Sequence, residues 1–238
     1  MLRNYLQTGY INTFKSCKLQ QSVDMVNDLA NYRRIYSKGE LLESEIPAEP
    51  MDLFRDWFAE MEKIKDSIEV NAMTVSTISK DGFPRNRVVL LKEFGPEGFV
   101  FYTNYQSDKG NALKMNPMIC ISFFWNEMER QVIIQGTAEK YSEEKAIEYF
   151  NTRPRGSQLG AWASNQSREV ASREVLEKCL RELETEYKDK PIPKPPYWGG
   201  YLIRPVNFEF WQGRPNRLHD RIFFEKENNI WNLKRLAP

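Results

Sequence analysis

The chain has 238 residues, with 34 lysines and arginines against 33 aspartates and glutamates, and its formal net charge is +1. This balance provides no general field for nucleic acid or for an anionic membrane surface, so we expect neither as a partner. No apolar run approaches the roughly 20 residues of a membrane-spanning helix, and hydrophobic residues at 41% suffice for the core of one domain.

The cysteines and the N-terminal segment indicate which cellular compartment to expect for the protein. The three cysteines are far apart and form no CxxC pair, so they predict neither a disulfide framework nor a zinc site, and a reducing, cytoplasmic compartment fits best. Residues 1–23 contain three basic residues and no acid, which resembles an organelle transit segment. We interpret residues 1–30 as a disordered tail and residues 31–238 as a single domain.

The first predicted elements are one helix and a series of strands. Apolar residues at spacings of three and four predict an amphipathic helix over residues 50–64. Five β-type segments follow, at residues 72–79, 87–94, 98–104, 118–125 and 130–141, with one short helix predicted within 107–117. Because no long helix separates these strands, they favour an antiparallel sheet or barrel over a doubly wound fold.

The second half of the chain adds helices before the last strands. Acids in the first turn predict a helix within residues 142–154, a Gly-containing loop carries Ser157, and an apolar stripe predicts a helix from about 172 to 188. The proline-rich residues 189–200 are interpreted as a rigid connector. Strands are predicted at 201–213, 220–227 and 230–236. The fold class is therefore a β-rich α+β domain.

The stretch "RNRVVLLKEF" places two cations near one strand. Alternation along a strand puts Arg87 and Lys92 on opposite faces, so they could serve two different anions. The alternative is two charges at the ends of a strand, both in solvent.

The stretch "YFNTRPRGSQLGAWASNQS" suggests a phosphate site. Tyr149 and Arg153 stand four residues apart on one helical face, and Ser157 follows. A guanidinium with two hydroxyl groups suits a phosphate, because arginine offers paired donors. A salt bridge at the helix end is the alternative. Gln166 and Ser167 add neutral donors, although such a segment also forms ordinary turns.

The stretch "EFWQGRPNRLHDR" contains His219, the single histidine of the chain. Strand alternation puts Arg217, His219 and Arg221 on one side, with Arg214 nearby, and such cations repel unless an anion or an electron-rich ring lies opposite. This arrangement favours a ligand, whereas a lone histidine can also be a purely structural group. The sequence has no HExxH, GxSxG, GxGxxG or Walker pattern, so side chains would have to hold any phosphorylated ligand.

Seven segments in one order, "RVVLLK", "FYTN", "RQVIIQG", "YFNTRPRGSQLGAWAS", "PPYWGG", "EFWQGRPNRLHDR" and "RLAP", resemble the pyridoxine (pyridoxamine) 5'-phosphate oxidase family over about residues 31–238. The resemblance implies an FMN-binding split β-barrel with flanking helices that works as a homodimer, with FMN in clefts at the dimer interface. It also implies oxidation of pyridoxine or pyridoxamine 5'-phosphate to pyridoxal 5'-phosphate, with O2 as acceptor and hydrogen peroxide as product.

The resemblance also assigns roles to individual residues. Lys92, Tyr149, Arg153 and Ser157 match the family residues that bind the substrate phosphate. Arg217 and His219 match the catalytic pair beside the pyridine ring, and Arg33 and Tyr36 match a lid segment. FMN is matched by Arg87, Val88, Val89, Leu90, Leu91, Lys92, Tyr102, Thr103, Lys109, Gln131, Gln166, Ser167, Trp211 and Arg221. No metal ligand is implied.

One position departs from the family pattern. The family usually has "SRKG" where this chain has "SDKG", so Asp108 replaces an arginine that helps to hold the FMN phosphate. A carboxylate beside a phosphate is repulsive, and a lost charge-assisted contact costs about 1.5 to 3 kcal/mol. We therefore expect weaker retention of FMN.

Two other functions fit parts of the pattern. A non-catalytic protein could keep the barrel and hold flavin or pyridoxal phosphate without turnover, and Asp108 is the feature that favours it. A flavin reductase-like barrel could act on another substrate, but the set of Tyr149, Arg153 and Ser157 would then have no purpose. Loss of flavin absorption under anaerobic conditions with pyridoxamine phosphate distinguishes these hypotheses.

Overall fold

The computed structural model describes residues 29–64 and 69–238. The chain divides into two compact units, residues 1–34 and 35–238. In the described part of the first unit, Nε of Arg33 donates to the carbonyl oxygen of Ala30 over 2.9 Å. Residues 1–23, whose composition resembles a transit segment, lie outside the described residues. The tail expected over residues 1–30 overlaps the described chain only at residues 29–30.

The second unit contains all the regular elements of the described chain. The helices are α1 Pro50–Glu62, α2 Asp108–Met115, α3 Glu143–Thr152, α4 Arg155–Ala163 and α5 Arg173–Glu186. The strands are β1 Ala72–Ile78, β2 Pro84–Leu90, β3 Glu93–Gly95, β4 Gly98–Asn104, β5 Met118–Trp125, β6 Arg130–Lys140, β7 Trp198–Gln212, β8 Asp220–Glu227 and β9 Ile230–Leu236. Short 3-10 turns occupy Glu43–Glu45 and Pro215–Arg217.

The strands form one antiparallel sheet in the order β2-β1-β5-β6-β7-β4-β3, with β8 paired to β7 and β9 to β8. Strand β7 pairs with β4 in its first half and with β8 in its second, which curls the sheet into a half-barrel. The β6–β7 register shifts between Gln135 and Gly136. A Cβ atom at Gly136 would lie 2.3 Å from the carbonyl oxygen of Arg204, so this close approach requires glycine. The predicted antiparallel split-barrel fold is confirmed.

Aromatic side chains fill the barrel. Phe54 of α1 is fully buried, and its ring centroid lies 5.0 Å from that of Phe99 and 5.2 Å from that of Phe123. Burying a phenylalanine contributes about 1.5 to 3 kcal/mol, and α1 is anchored by this side chain together with the buried Leu53, Trp57 and Met61. A second apolar cluster, around Phe150 and Trp198, joins α3 and α4 to the start of β7.

Three predicted boundaries were wrong. The strand expected at 87–94 is two strands, because the chain leaves β2 after Leu90, buries Leu91 in the core and pairs Lys92 N–H with Val100. Ser157 lies in α4 rather than in a loop, since Leu159 of that helix is buried and packing outweighs the two glycines. The connector ends earlier than expected, because β7 begins at Trp198.

Candidate active site

A cleft of about 640 Å³ opens between the ends of β2 and β4 and the helices α3 and α4. Of the residues predicted for the site, those that line it are Val88, Val89, Leu90, Lys92, Tyr102, Thr103, Lys109, Tyr149, Arg153, Ser157 and Gln166. Residues from five separate sequence segments are therefore brought together at one cleft, as the resemblance implied.

Lys109 is a buried cation at one end of this cleft. Its ammonium group donates to Oγ1 of Thr103 over 3.1 Å and to Oε1 of Gln166 over 3.3 Å, and both acceptors are neutral. Burial, followed by repulsion from Arg87, lowers the pKa of Lys109 to about 8. A buried lysine whose side-chain partners are neutral gains stability when an anion binds beside it.

Arg153 is the second cation at the cleft. It directly follows α3, and its guanidinium lies over the ring of Trp198, with the central carbon 4.8 Å from the ring centroid. Its Nη1 atom is buried without a hydrogen-bond partner in the described structure. Burial lowers the pKa of Arg153, yet an arginine remains charged. A buried guanidinium donor without a partner in the described structure is suited to binding an anion.

Three stacked rings support this end of the cleft. Tyr149 of α3 stacks on Tyr102 of β4 with centroids 4.2 Å apart, and Tyr102 stacks on Trp198 at 5.3 Å. Nζ of Lys92 lies 6.0 Å from the centroid of Tyr149. The stack fixes the orientation of Tyr149 between the two cations, Lys92 and Arg153.

His219 lies in a different group of residues, on the turn between β7 and β8. Its Nδ1 atom accepts the backbone N–H of Arg214 over 3.0 Å. Its ring centroid lies 4.7 Å from that of Trp211 and 5.8 Å from that of Tyr36. Burial, followed by repulsion from Arg217, lowers the pKa of His219, so the imidazole is neutral at pH 7.

The charges around this turn differ from the prediction. Arg217 and His219 precede β8, and Arg217 has a φ of 62°, so strand alternation does not place them with Arg221. Arg221 is paired instead with Glu209, whose Oε1 accepts from its Nε over 2.8 Å. The aromatic rings beside His219 are those of Tyr36 and Trp211.

Several predicted site residues do not line the 640 Å³ cleft. They are Tyr36, Arg87, Leu91, Gln131, Ser167, Trp211, Arg217, His219 and Arg221. Leu91 is 3% exposed and belongs to the core, while Arg87 and Asp108 line a second cavity of about 570 Å³. Arg87 and Lys92 thus line different cavities, although Lys92 lies beyond the end of β2 and strand alternation does not place it. Arg33 lies in the other unit of the chain.

Sequence reasoning missed part of the cleft wall. Asn104, Thr152, Pro154, Gly160, Ala161, Ser164 and Trp198 also line it. Trp198 matters most, since it contacts Arg153, Tyr149 and Phe150 through its ring. The signal was available in the "PPYWGG" segment, where a tryptophan follows a proline run directly before the glycines of a strand.

Comparisons with known proteins identify the family. Residues 60–186 match the model described as pyridoxamine 5'-phosphate oxidase, and residues 198–238 match the pyridoxine 5'-phosphate oxidase C-terminal dimerisation region. The chain belongs to the pyridoxamine 5'-phosphate oxidase family. A pyridoxine/pyridoxamine 5'-phosphate oxidase of Flavobacterium johnsoniae is 57% identical over 89% of this chain and 100% of its own length. The corresponding protein of Christiangramia forsetii is 58% identical over 90% of this chain and 100% of its own length.

Solved structures agree with the split-barrel fold of this oxidase family. PhzG of Burkholderia lata, in complex with tetrahydrophenazine-1-carboxylic acid, has a TM-score of 0.78 and 28% identity, covering 85% of this chain and 100% of its own. A pyridoxamine 5'-phosphate oxidase-related, FMN-binding protein of Nostoc punctiforme has a TM-score of 0.64 at 15% identity, covering 81% and 100%. Among residues 29–64 and 69–238, no helix combines the length and apolar character needed to cross a membrane.

Proposed function

We propose that this chain is an FMN-dependent oxidase that converts pyridoxamine 5'-phosphate and pyridoxine 5'-phosphate to pyridoxal 5'-phosphate, with O2 as the electron acceptor and hydrogen peroxide as the product. The observation that carries the proposal is the buried, unpartnered Nη1 of Arg153 beside Tyr149 in the cleft. A guanidinium nitrogen in such a place is costly without an anion, and a phosphate monoester supplies one.

The residues at the other end of the cleft fit FMN. The buried ammonium of Lys109, held by Thr103 and Gln166, supplies the positive charge that a flavin phosphate needs. The apolar side chains of Val88, Val89 and Leu90 line the cleft beside it and could pack against a planar ring system. FMN, when bound, would supply a two-electron acceptor that transfers the electrons to O2.

Binding of the substrate is assigned to the charged groups near α3. Arg153 and Lys92 hold the phosphate, with the hydroxyl groups of Tyr149 and Ser157 completing its oxygen shell. Because Tyr149 stacks on Tyr102, its hydroxyl group is already oriented before the substrate binds. These residues place the substrate ring, and orientation is the main protein contribution in flavin chemistry.

His219 acts as a hydrogen-bond donor in this proposal. Since Nδ1 accepts the Arg214 N–H, the imidazole proton resides on Nε2. Nε2–H can therefore donate to an electronegative atom of the substrate, whereas it cannot accept a proton there. Arg217, exposed two residues earlier, supplies a positive charge on the same turn.

A homodimer completes the proposed site. The turn with Arg217 and His219 does not line the cleft of its own chain, so a second copy is assigned to bring it there. Exposed apolar side chains support this arrangement: Val88, which lines the cleft, is 70% exposed, and Phe124 of β5 is 58% exposed. Both exposed fractions are high for apolar side chains within strands. The match of residues 198–238 to a dimerisation region also supports a homodimer.

The absorption spectrum of the purified protein tests the proposal. We expect bound flavin whose absorption bleaches under anaerobic conditions when pyridoxamine 5'-phosphate is added, and returns with O2 as hydrogen peroxide forms. Bound flavin that does not bleach would instead support a non-catalytic binding protein. The dephosphorylated substrate is the control, because it lacks the group assigned to Arg153.

A further inference from the structure

The carboxylate of Asp220 joins three parts of the described chain. Its Oδ2 accepts the backbone N–H of Leu41 over 3.1 Å, and its Oδ1 accepts from Nη1 of Arg235 over 2.7 Å. The side chain is only 18% exposed. Asp220 directly follows His219 and begins β8. One carboxylate thus connects the turn that carries His219 to the last strand and to residues 36–43, which we call the strap.

Arg214 connects this carboxylate to the imidazole. Its Nε lies 3.7 Å from Oδ2 of Asp220, and its Nη1 donates to Glu40 of the strap over 2.8 Å. The backbone N–H of the same residue donates to Nδ1 of His219. These side-chain contacts hold Arg214 in place, and a shift of its backbone would change the hydrogen bond that sets the tautomer of His219.

Arg235 holds the far end of the network. Its guanidinium pairs with Glu43 through two nitrogens and donates to the carbonyl oxygen of Leu41 over 2.6 Å. Both the N–H and the C=O of Leu41 are thereby used, by Asp220 and by Arg235. The charges alternate along Glu40, Arg214, Asp220, Arg235 and Glu43, so each of the three inner groups has an opposite charge on both sides.

We propose that Asp220 is a positioning residue for His219: through Arg214 and the strap, it keeps Nδ1 of the imidazole occupied as an acceptor and presents Nε2–H to the substrate. Only the presentation of Nε2–H to the substrate rests on the proposed function. The hydrogen-bond network itself does not depend on the identity of the substrate. Besides the ring of Trp211, the titratable and charged groups beside His219 in the described chain are Tyr36, Arg214, Arg217 and Asp220. Asp220 is the single carboxylate among these four.

The single histidine makes a direct test possible. In untagged enzyme with labelled histidine, arginine and leucine, the nitrogen chemical shifts report the tautomer of His219, and amide exchange reports the N–H groups of Arg214 and Leu41. We expect Asp220→Asn to mix the two tautomers and to speed exchange of the Arg214 and Leu41 amides at least tenfold. Glu225→Gln is the matched control, because it removes a carboxylate from the same strand that pairs only with Lys234 at the surface.

Activity supplies a second readout. If His219 orients the substrate, Asp220→Asn raises the KM for pyridoxamine 5'-phosphate about tenfold while FMN content is unchanged. Faster exchange at Leu41 alone, with the Arg214 amide and the His219 tautomer unaltered, would overturn the proposal and reduce Asp220 to an anchor for the strap. A wild-type protein without turnover would contradict the proposed function, yet the tautomer result would still decide the role of Asp220.

A second variant covers the case in which Asp220→Asn does not fold. Arg235→Gln leaves Asp220 charged and removes one of its partners. We expect the same changes in the Arg214 amide and the His219 tautomer, but several-fold smaller. Unchanged signals in a folded Arg235→Gln protein would also count against the network.

Discussion

The guanidinium of Arg153 lies over the indole ring of Trp198, with its central carbon 4.8 Å from the ring centroid. The cation is thus held against an aromatic face before any anion is present, while its Nη1 remains without a partner. Such a preorganised arginine loses little side-chain entropy when it binds a phosphate.

Replacement of Arg153 by alanine is therefore expected to affect substrate binding more than folding. The KM for pyridoxamine 5'-phosphate should rise about 10- to 100-fold, since a charge-assisted contact contributes about 1.5 to 3 kcal/mol. Steady-state kinetics and thermal melting measure the two effects separately. Arg155→Ala is the control, because Arg155 bonds to carbonyl oxygens of Tyr187 and Lys190 and does not line the cleft. Unchanged kinetics with a lowered melting temperature would assign Arg153 a structural role.

The pKa of Lys109 predicts a pH dependence of FMN binding. Its pKa is lowered from 10.5 to about 8 in the ligand-free chain, so the ammonium group loses its proton as the pH rises through 8. A bound phosphate favours the charged form and raises this pKa, so binding above pH 8 requires uptake of a proton. FMN affinity should fall by up to about tenfold per pH unit above 8.

Titration of the apo-protein with FMN at several pH values measures this slope. Lys109→Arg is the informative variant, because an arginine stays charged throughout the range and should flatten the dependence. Equal slopes for the two proteins would show that Lys109 does not meet the phosphate.

Asp108 predicts a gain of FMN affinity on charge reversal. It is the first residue of α2, is exposed, and its charge acts on both Arg87 and Lys109. Asp108→Arg should tighten FMN by about 1 kcal/mol, roughly fivefold, because solvent screens an exposed side chain. The gain should shrink with added salt, and Asp108→Asn should give an intermediate value.

The competing interpretation is that Asp108 only stabilises the N-terminus of α2. In that case Asp108→Arg costs a few tenths of a kcal/mol of folding stability, and FMN affinity stays the same. FMN titration and thermal melting of the three proteins separate the two interpretations. The KM for substrate in flavin-saturated enzyme should be unchanged in all of them.

The proposed dimer predicts that a charge on the exposed face of β5 separates the subunits. Phe124→Glu should produce monomers with weakened FMN binding, as measured by sedimentation and flavin absorption. Val175→Glu, an equivalent change on the exposed face of α5, should leave the dimer intact. A flavin-loaded, active monomer at micromolar concentration would contradict this prediction.

The sequence predicted the sheet well and the turns poorly. Strands β1, β4, β5, β8 and β9 have apolar patterns bounded by turn residues, and their observed limits match the prediction within one residue. The turn at His219 was misjudged, because Asn216 and Arg217 adopt positive φ values and end the strand alternation, and a positive φ is uncommon for an arginine. Many residues of the cleft were predicted from local sequence motifs. The role of Trp198 was not, because it depends on which side chains the fold places against its ring.

Lys140, at the end of β6, pairs with Tyr201 of β7, whose first residue is Trp198, so residues 141–197 leave the sheet and return to the same place. This excursion contains α3, α4 and α5, and with them Tyr149, Arg153 and Ser157. A loop whose ends already meet can change in length and content at little cost in closure entropy, because the β6–β7 pairing holds its ends together. The wall proposed to bind the substrate is therefore an insertion between two paired strands, and its sequence and length can change while the β6–β7 register is kept.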